Sequence, residues 1–127
     1  MSKKLRINAG IALLRIFASA MMMVHGFSKL QKLINGDFQF ANPIGIGETP
    51  SLFLTVIGEF ICPVFIIIGF KTRWASAITA ITMGVAGFIH HRADPFSDKE
   101  LSLVYFTVFV ALALVGPGKY SVDKSAL

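Results

Sequence analysis

The sequence predicts an all-α protein that is an integral membrane bundle of four helices. Hydrophobic residues make up 54% of the 127 residues and charged residues only 15%, whereas a soluble domain carries about 25% charged residues. The mean hydropathy is +0.69. Four apolar windows, at about 7–27, 51–70, 74–90 and 100–116, each approach the ~20 residues that a membrane-spanning helix needs. We therefore interpret residues 1–127 as a single transmembrane domain.

The distribution of basic residues predicts the orientation of these spans. With an even number of spans, both termini lie on the same side of the membrane. That side carries seven basic residues, which are Lys3, Lys4, Arg6, Lys71, Arg73, Lys119 and Lys124. The opposite side carries four, which are Lys29, Lys32, Arg92 and Lys99. Because short cytoplasmic loops are enriched in Lys and Arg, we expect cytoplasmic termini in a multi-pass protein of the bacterial inner membrane. The formal charge of +5 does not indicate nucleic-acid binding, because no basic amphipathic stretch is present.

The connections between the spans differ in length. Residues 28–50 form the only long connection, and their Gly and Pro residues indicate turns rather than a further helix. We expect this segment to fold over the outer mouth of the bundle. Residues 71–73 form a tight turn and residues 91–99 a short loop, while Gly116 and Pro117 end the last span.

An arginine lies within the first span, in LLRIFASAMMMVHG, and requires a partner there. A guanidinium stays charged and is costly at the bilayer centre. Glu59 lies near the middle of span two, within about three residues, or ~4.5 Å along the axis, of the depth of Arg15. A carboxylate can bind a guanidinium through two parallel hydrogen bonds. We therefore predict an Arg15–Glu59 pair, whose role is either functional or purely architectural. Pro63, just beyond Glu59, either kinks span two and frees a backbone carbonyl or is simply tolerated.

A stripe of polar and small residues on span one indicates the side that faces protein. Its members are Asn8, Arg15, Ser19, Met22 and Gly26. A second group of ionisable residues lies at the outer ends of the spans, and consists of His25, Lys29, His90 and Glu100. A histidine beside a carboxylate and an ammonium group can exchange a proton with a bound ligand near neutral pH. The alternative for the histidines is an interfacial position, bonded to a carbonyl or a lipid headgroup.

The sequence gives little support to metal or thiol chemistry. Two histidines on different spans are a weak signal for haem, and no zinc-ligand spacing is present. Cys62 is the single cysteine, so this chain alone forms no dithiol. We predict no metal ligands, and the pattern assigns no catalytic residue.

Several segments together resemble the DoxX family of small membrane proteins. They are LLRIFASAMMMVHGFSKL in span one, GEFICPVFIIIGFKTRWAS in span two, GFIHH at the end of span three, and ELSLVYF and GPGKYSVD around span four. These segments occur in order over nearly the whole chain, while residues 31–50 match nothing recognisable. The family takes its name from a subunit of a terminal quinol oxidase. Its members are linked to thiosulfate-to-quinone electron transfer, and to a membrane complex with superoxide dismutase and a sulfurtransferase in oxidative stress defence.

The resemblance implies a four-helix membrane protein with a candidate ligand site. The positions that match the polar pattern of the family are Arg15, His25, Lys29, Glu59, His90 and Glu100. The first hypothesis is a quinone-linked redox accessory subunit that binds a quinone or another small amphipathic molecule within the bundle, with its own enzymatic activity left open. The second is a scaffold that recruits soluble redox or stress-defence enzymes. The third is a small transporter, for which a homo-oligomer would supply further spans.

Overall fold

The computed structural model describes residues 1–124, and this part of the chain is helical, without strands. Its four helices are α1 (Lys3–Ile34), α2 (Glu48–Ile68), α3 (Thr72–Gly84) with a π-helical extension (Val85–His90), and α4 (Phe96–Val115). Helices α1 and α2 are each long and apolar enough to cross a membrane. The four helices correspond in order to the four apolar windows of the sequence.

Helix α1 is longer than the window that predicted it. Ser2 caps its start, because the Ser2 hydroxyl accepts a hydrogen bond from the Leu5 amide at 3.1 Å. After residue 28 the sequence KLQKLI contains mostly good helix formers, so the helix continues to its end at Ile34. Gly36 then adopts a φ of +74°, a conformation that glycine reaches without strain. The long connection therefore comprises residues 35–47 rather than 28–50.

Helix α2 contains one π-helical turn, Ile57–Ile61, which lies directly before Pro63. The amide of Cys62 donates to the carbonyl oxygen five residues back instead of four. In a regular α-helix this amide would donate to the carbonyl oxygen of Gly58. That oxygen instead accepts a hydrogen bond from the Thr79 hydroxyl of α3 at 2.8 Å. Because proline lacks an N–H group and crowds the preceding turn, it disturbs the helix here and a backbone carbonyl becomes free for another partner.

The helices pack in chain order, α1 against α2, α2 against α3 and α3 against α4, and α4 returns to contact α1. Several polar side chains lie inside and are 3% exposed or less, namely Asn8, Arg15, Ser19, Glu59, Thr72, Ser76 and Thr79. Many large apolar side chains lie outside, and Val24 and Leu114 are both 74% exposed. Buried polar side chains next to an apolar core, together with an apolar exterior, are typical of a protein whose solvent is lipid.

Candidate functional site

Arg15 is buried, but its partner is not Glu59. Its guanidinium donates four hydrogen bonds, all to backbone carbonyl oxygens: Nε to Ile66 (2.7 Å), Nη1 to Pro117 (2.7 Å), and Nη2 to Ile67 (3.1 Å) and Tyr120 (2.7 Å). Ile66 and Ile67 belong to the last turn of α2, where carbonyl groups lack intrahelical amides and form the negative end of the helix dipole. The prediction of an Arg15–Glu59 pair is therefore wrong.

The error lies in the assumed register of the first two helices. Gly26 faces Glu59, because a β-carbon added at Gly26 would lie 2.5 Å from the Glu59 carbonyl oxygen. Arg15 instead lies level with Ile66, which is seven residues, or about 10 Å, beyond Glu59 along α2. The prediction assumed that the centres of the two apolar windows lie at the same depth. In the structure, α1 is displaced along its axis relative to α2, so that Gly26 rather than Arg15 lies opposite Glu59.

The carbonyl groups of Pro117 and Tyr120 belong to the C-terminal segment that follows α4. Asn8 of α1 also holds this segment, since its Oδ1 accepts a hydrogen bond from the Lys119 amide at 2.9 Å. The Val122 amide donates to the last residue of α2, at 3.0 Å from the Ile68 carbonyl oxygen. Arg15 thus joins α1, the end of α2 and the C-terminal segment, which favours the architectural alternative for this residue.

Glu59 pairs with Lys29. The Nζ atom of Lys29 lies 2.6 Å from Oε1 and 2.8 Å from Oε2 of Glu59. The Glu59 side chain is 4% exposed and the Lys29 side chain 28%. Gly26 lies one turn before Lys29 on the same face of α1, and its lack of a side chain lets α1 approach the π turn that carries Glu59. Two of the three N–H donors of the ammonium group are used in this pair.

A cavity of about 350 Å³ lies beside the ion pair. Its polar lining includes His25, Lys29, Ser51, Glu59, His90 and Tyr105. The loop of residues 35–47 contributes apolar side chains, namely Phe40, Ala41, Pro43, Ile44 and Ile46. Small-molecule sites in proteins are about 300–1,000 Å³ in volume and mostly apolar with a few polar groups. The cavity therefore suits a small ligand with a polar head, and the long connection covers it as expected.

Asp37 fixes the start of this covering loop. Its Oδ2 accepts a hydrogen bond from Lys32 Nζ at 3.0 Å, and its Oδ1 accepts one from the Gln39 amide at 3.2 Å. The hydrogen bond from Lys32, followed by that from the Gln39 amide, lowers the pKa of Asp37. Further along, Asn42 Oδ1 accepts a hydrogen bond from the Gly47 amide at 2.8 Å, which joins the loop to the start of α2.

Four of the six candidate residues border the cavity, and these are His25, Lys29, Glu59 and His90. Arg15 and Glu100 do not. Glu100 is exposed on α4, five residues before Tyr105, which is buried and borders the cavity. Five residues turn an α-helix by about 140°, so Glu100 points away from the cavity side of α4. The prediction placed Glu100 at the start of the fourth helix, which begins at Phe96 instead, and on the side of the cavity, where it does not lie.

Sequence reasoning missed six polar residues of the lining, namely Ser51, Thr55, Thr82, His91, Ser102 and Tyr105. Tyr105 is 7% exposed, and its ring meets that of His25 edge-on with the centroids 5.8 Å apart. A tyrosine inside an apolar span was the available signal. Ser51 gave none, because a serine next to a helix start is usually a capping residue. Within residues 1–124 no three His, Cys, Asp or Glu side chains are grouped to hold a metal ion.

A helical chain with an apolar exterior, a partly buried ion pair and a largely apolar cavity with a few polar groups is typical of a small membrane protein with a candidate ligand site. The model of the DoxX family matches residues 10–92, which is more than half of the chain. The chain belongs to this family, as the resemblance in its sequence predicted. The match includes most of α1 and all of α2 and α3, and thus most of the helical residues around the cavity.

Two relatives extend the comparison over almost the whole chain. A Bacillus subtilis protein named "Putative oxidoreductase CatD" is 30% identical over 117 residues, which cover 90% of this chain and 84% of the relative. An Escherichia coli protein named "Inner membrane protein YqjF" is 29% identical over 128 residues, which cover 96% of this chain and 95% of the relative. No solved structure matches the chain.

Proposed function

We propose that this DoxX protein spans the bacterial inner membrane four times and binds a quinone, or a similar small amphipathic molecule, as an accessory subunit of a redox system. The observation that carries the proposal is the cavity beside the Lys29–Glu59 pair, which combines apolar walls with hydrogen-bond donors. The names of the two relatives support it, since one is called an oxidoreductase and the other an inner membrane protein.

Helices α1 and α2 are each long and apolar enough to cross a membrane, and the proposal adds α3 and α4 as shorter spans. Helix α4 has 20 residues, or about 30 Å, of which residues 101–115 follow its last charged residue. Helix α3 and its π-helical extension together reach from residue 72 to residue 90. The basic residues near the two termini then lie in the cytoplasm. The cavity, at the opposite end of the bundle, opens toward the periplasm in this orientation.

The donors around the cavity fit the chemistry of a quinone ring. A quinone has two carbonyl oxygens that accept hydrogen bonds, and its ring packs against apolar side chains. Lys29 retains one N–H donor beyond the two that bind Glu59. The Tyr105 hydroxyl and the ring nitrogens of His25 and His90 add further donors to the lining. A neutral head group also suits a site where one cation already faces one anion.

Reduction of the bound quinone to a quinol takes two electrons and two protons. In this proposal a partner enzyme exchanges the electrons with the quinone. His25 and His90 border the cavity, and histidine is the side chain that most readily exchanges protons near neutral pH. The chain thus binds the quinone and transfers protons at the ring oxygens.

The Glu59→Gln variant tests the proposal against a matched control. The amide carries no charge, so it no longer holds the Lys29 ammonium group at the cavity wall, and the hydrogen bond from Lys29 to the ligand is lost. We expect the amount of quinone that copurifies in mild detergent, measured by mass spectrometry, to fall by about tenfold or more. Glu100→Gln makes the same chemical change on an exposed carboxylate outside the cavity, and should leave the quinone content unchanged. Equal quinone in both variants, with only lower thermal stability in Glu59→Gln, would assign the ion pair an architectural role.

A second candidate function, a scaffold for soluble redox enzymes, is favoured by the fixed C-terminal segment. Arg15 and Asn8 hold its backbone, while Lys119 and Lys124 remain exposed at the basic end of the bundle. Replacing both lysines with glutamate should abolish copurification of a soluble partner and leave bound quinone unchanged. Loss of quinone together with the partner would argue against this separation of roles.

A further inference from the structure

Helices α2 and α3 meet closely at Gly58 and Thr82. Gly58 permits this contact, because a β-carbon added there would overlap the Thr82 side chain. The Thr79 hydroxyl, one turn further inward, donates to the Gly58 carbonyl oxygen at 2.8 Å and reinforces the contact. The cavity is lined by residues of α2 up to Glu59 and by residues of α3 from Thr82 onwards. The close contact of the two helices therefore lies at the inner end of the cavity.

Outward of this contact, α2 and α3 pack on different neighbours. Glu48–Val56 packs on α1 and Val85–His90 packs on α4, and among the described residues these two segments make no comparable contact with each other. Gly87 allows the approach to α4, since a β-carbon there would lie 2.8 Å from Cδ2 of Leu103. Both helices adopt π-helical geometry beside their contact, and helices bend at π turns. The outer segments of α2 and α3 are therefore separated.

The cavity lies between the separated segments. Leu54 and Thr55 line it from α2, while Val85 and Ala86 line it from the extension of α3. We name the space between these four residues the lateral gap.

Contacts between neighbouring helices close the other three sides of the cavity. Between α1 and α2, Gly26 brings the backbones together beside the ion pair. Between α1 and α4, the His25 ring meets the Tyr105 ring edge-on. Between α3 and α4, the Phe88 and Phe106 rings meet edge-on with their centroids 5.3 Å apart. Since the loop of residues 35–47 covers the outer mouth, the lateral gap is the side of the cavity where a helix contact of this kind is missing within residues 1–124.

The lateral gap leads to the apolar exterior of the bundle. Ile57 follows Leu54 by three residues and Ile89 follows Val85 by four, so each lies on the same face of its helix as a residue of the gap. Ile57 and Ile89 are 41% and 40% exposed, and neither borders the cavity. These isoleucines and the residues of the gap are uncharged, so they offer an apolar path from the cavity to the surrounding lipid.

We infer that the lateral gap is a portal to the membrane, through which the apolar tail of the quinone passes into the periplasmic leaflet while the ring lies beside the Lys29–Glu59 pair. This inference rests on the proposed function and narrows its ligand class to quinones that carry an apolar tail and enter from the lipid. The cavity of about 350 Å³ is close to the lower limit for small-molecule sites, so it suits the ring and leaves a long tail outside. Lipid is the favourable place for that tail, because each CH₂ group exposed to water is unfavourable.

Photo-labelling tests the route of the tail. The probe is a synthetic benzoquinone whose decyl chain carries a diazirine at its middle, bound to the unaltered protein in nanodiscs of phosphatidylethanolamine and phosphatidylglycerol. After irradiation, peptide mass spectrometry identifies the labelled residues. We expect labels at Ile57 and Ile89 that are suppressed by excess decyl-benzoquinone without the diazirine and by the Glu59→Gln change. Labels confined to residues 35–47, or to α1 and α4, would overturn the portal and leave binding of the ring intact.

A substitution at the gap gives a second measurement. Val85→Trp narrows the gap, whereas Val104→Trp makes the same change at an exposed valine of α4 that does not border the cavity. The measured quantity is the ratio of the dissociation constants of decyl-benzoquinone and methyl-benzoquinone, which cancels effects common to both compounds. We expect Val85→Trp to shift this ratio against the decyl compound by about fivefold or more, because the indole and the tail compete for one space. Val104→Trp should leave the ratio unchanged.

The outcomes separate the portal from the proposed function. An unchanged ratio in Val85→Trp, with both compounds still bound in a manner that depends on Glu59, would overturn the portal and leave the proposed function standing. Binding of neither compound to the unaltered protein would overturn both. If Val85→Trp does not fold, the labelling of the unaltered protein decides alone.

Discussion

Replacing Arg15 with methionine removes the charge from the interior and keeps a long, flexible apolar side chain. The change eliminates four hydrogen bonds to carbonyl oxygens. The carbonyl oxygen of Ile66 keeps the bond from the Gly69 amide. Those of Ile67, Pro117 and Tyr120 lose the donor that Arg15 supplied. Arg15→Met should therefore weaken both the bundle and the attachment of the C-terminal segment.

The expected loss of stability follows from these three acceptors. A buried acceptor without a partner costs about 1–3 kcal/mol. The bond to Pro117 is buried and counts in full, whereas those to Ile67 and Tyr120 are partly buried and count about half. The sum is about 2–6 kcal/mol, and it is reduced because methionine carries no charge that must be desolvated. We expect the free energy of unfolding to fall by about 2–4 kcal/mol.

Two measurements check this expectation. Denaturant titration in mild detergent gives the change in the free energy of unfolding, and limited trypsin digestion reports release of the C-terminal segment. Cleavage after Lys119 should accelerate by about tenfold or more in Arg15→Met, since local opening becomes more populated. Glu59→Gln should leave this cleavage rate unchanged, because Glu59 does not contact Arg15. Normal stability and normal protection of Lys119 in Arg15→Met would refute the reasoning.

Two further predictions concern α1 and the loop that covers the cavity. Gly26→Ala should lower the free energy of unfolding, measured by denaturant titration, by about 1–3 kcal/mol. The new β-carbon would lie 2.5 Å from the Glu59 carbonyl oxygen, so the backbone must shift. Gly10→Ala is the control, because a β-carbon there meets no atom within 4 Å, and it should stabilise α1 by up to about 1 kcal/mol. The hydrogen bond from Lys32 lowers the pKa of Asp37 below its ordinary value of 3.8, so the stability that this carboxylate contributes is present above pH 3.8 and is lost as the pH falls through the lower pKa of the folded state. Hydrogen exchange of the loop amides, compared with Asp37→Asn, should therefore show constant protection at neutral pH and a loss only in strong acid, whereas a loss between pH 5 and 7 would contradict the assignment.

The sequence predicted the number and order of the helices, because each apolar window is about as long as a helix and is bounded by charged, Gly or Pro residues. It also placed Lys29 and His90 at the same end of the bundle, and both residues border the cavity. Neither inference needs more than the position of a residue within its own helix. Boundaries were predicted less well, since KLQKLI is polar enough to resemble a loop and yet favours a helix.

The partner of Arg15 could not be predicted from side chains. The prediction considered only acidic side chains as partners of Arg15. The actual acceptors are backbone carbonyl oxygens, which every residue carries. They become available only because α2 ends there and because the C-terminal segment folds back. The pairing of Glu59 with Lys29 depends similarly on the register that Gly26 permits. Contacts of this kind are properties of packing, and helical spacing alone does not contain them.

Two levels of α2 differ in what surrounds their charged groups. At its end, Arg15 binds backbone carbonyl oxygens, so its charge contributes to the architecture. At the π turn, Glu59 holds a lysine that is partly exposed, has a donor to spare and borders the cavity. Because the two levels lie about 10 Å apart along one helix, we expect a change at Arg15 to alter stability without altering ligand affinity. A change at Glu59 should alter ligand affinity, because a buried charge and the cavity meet there in the described part of the chain.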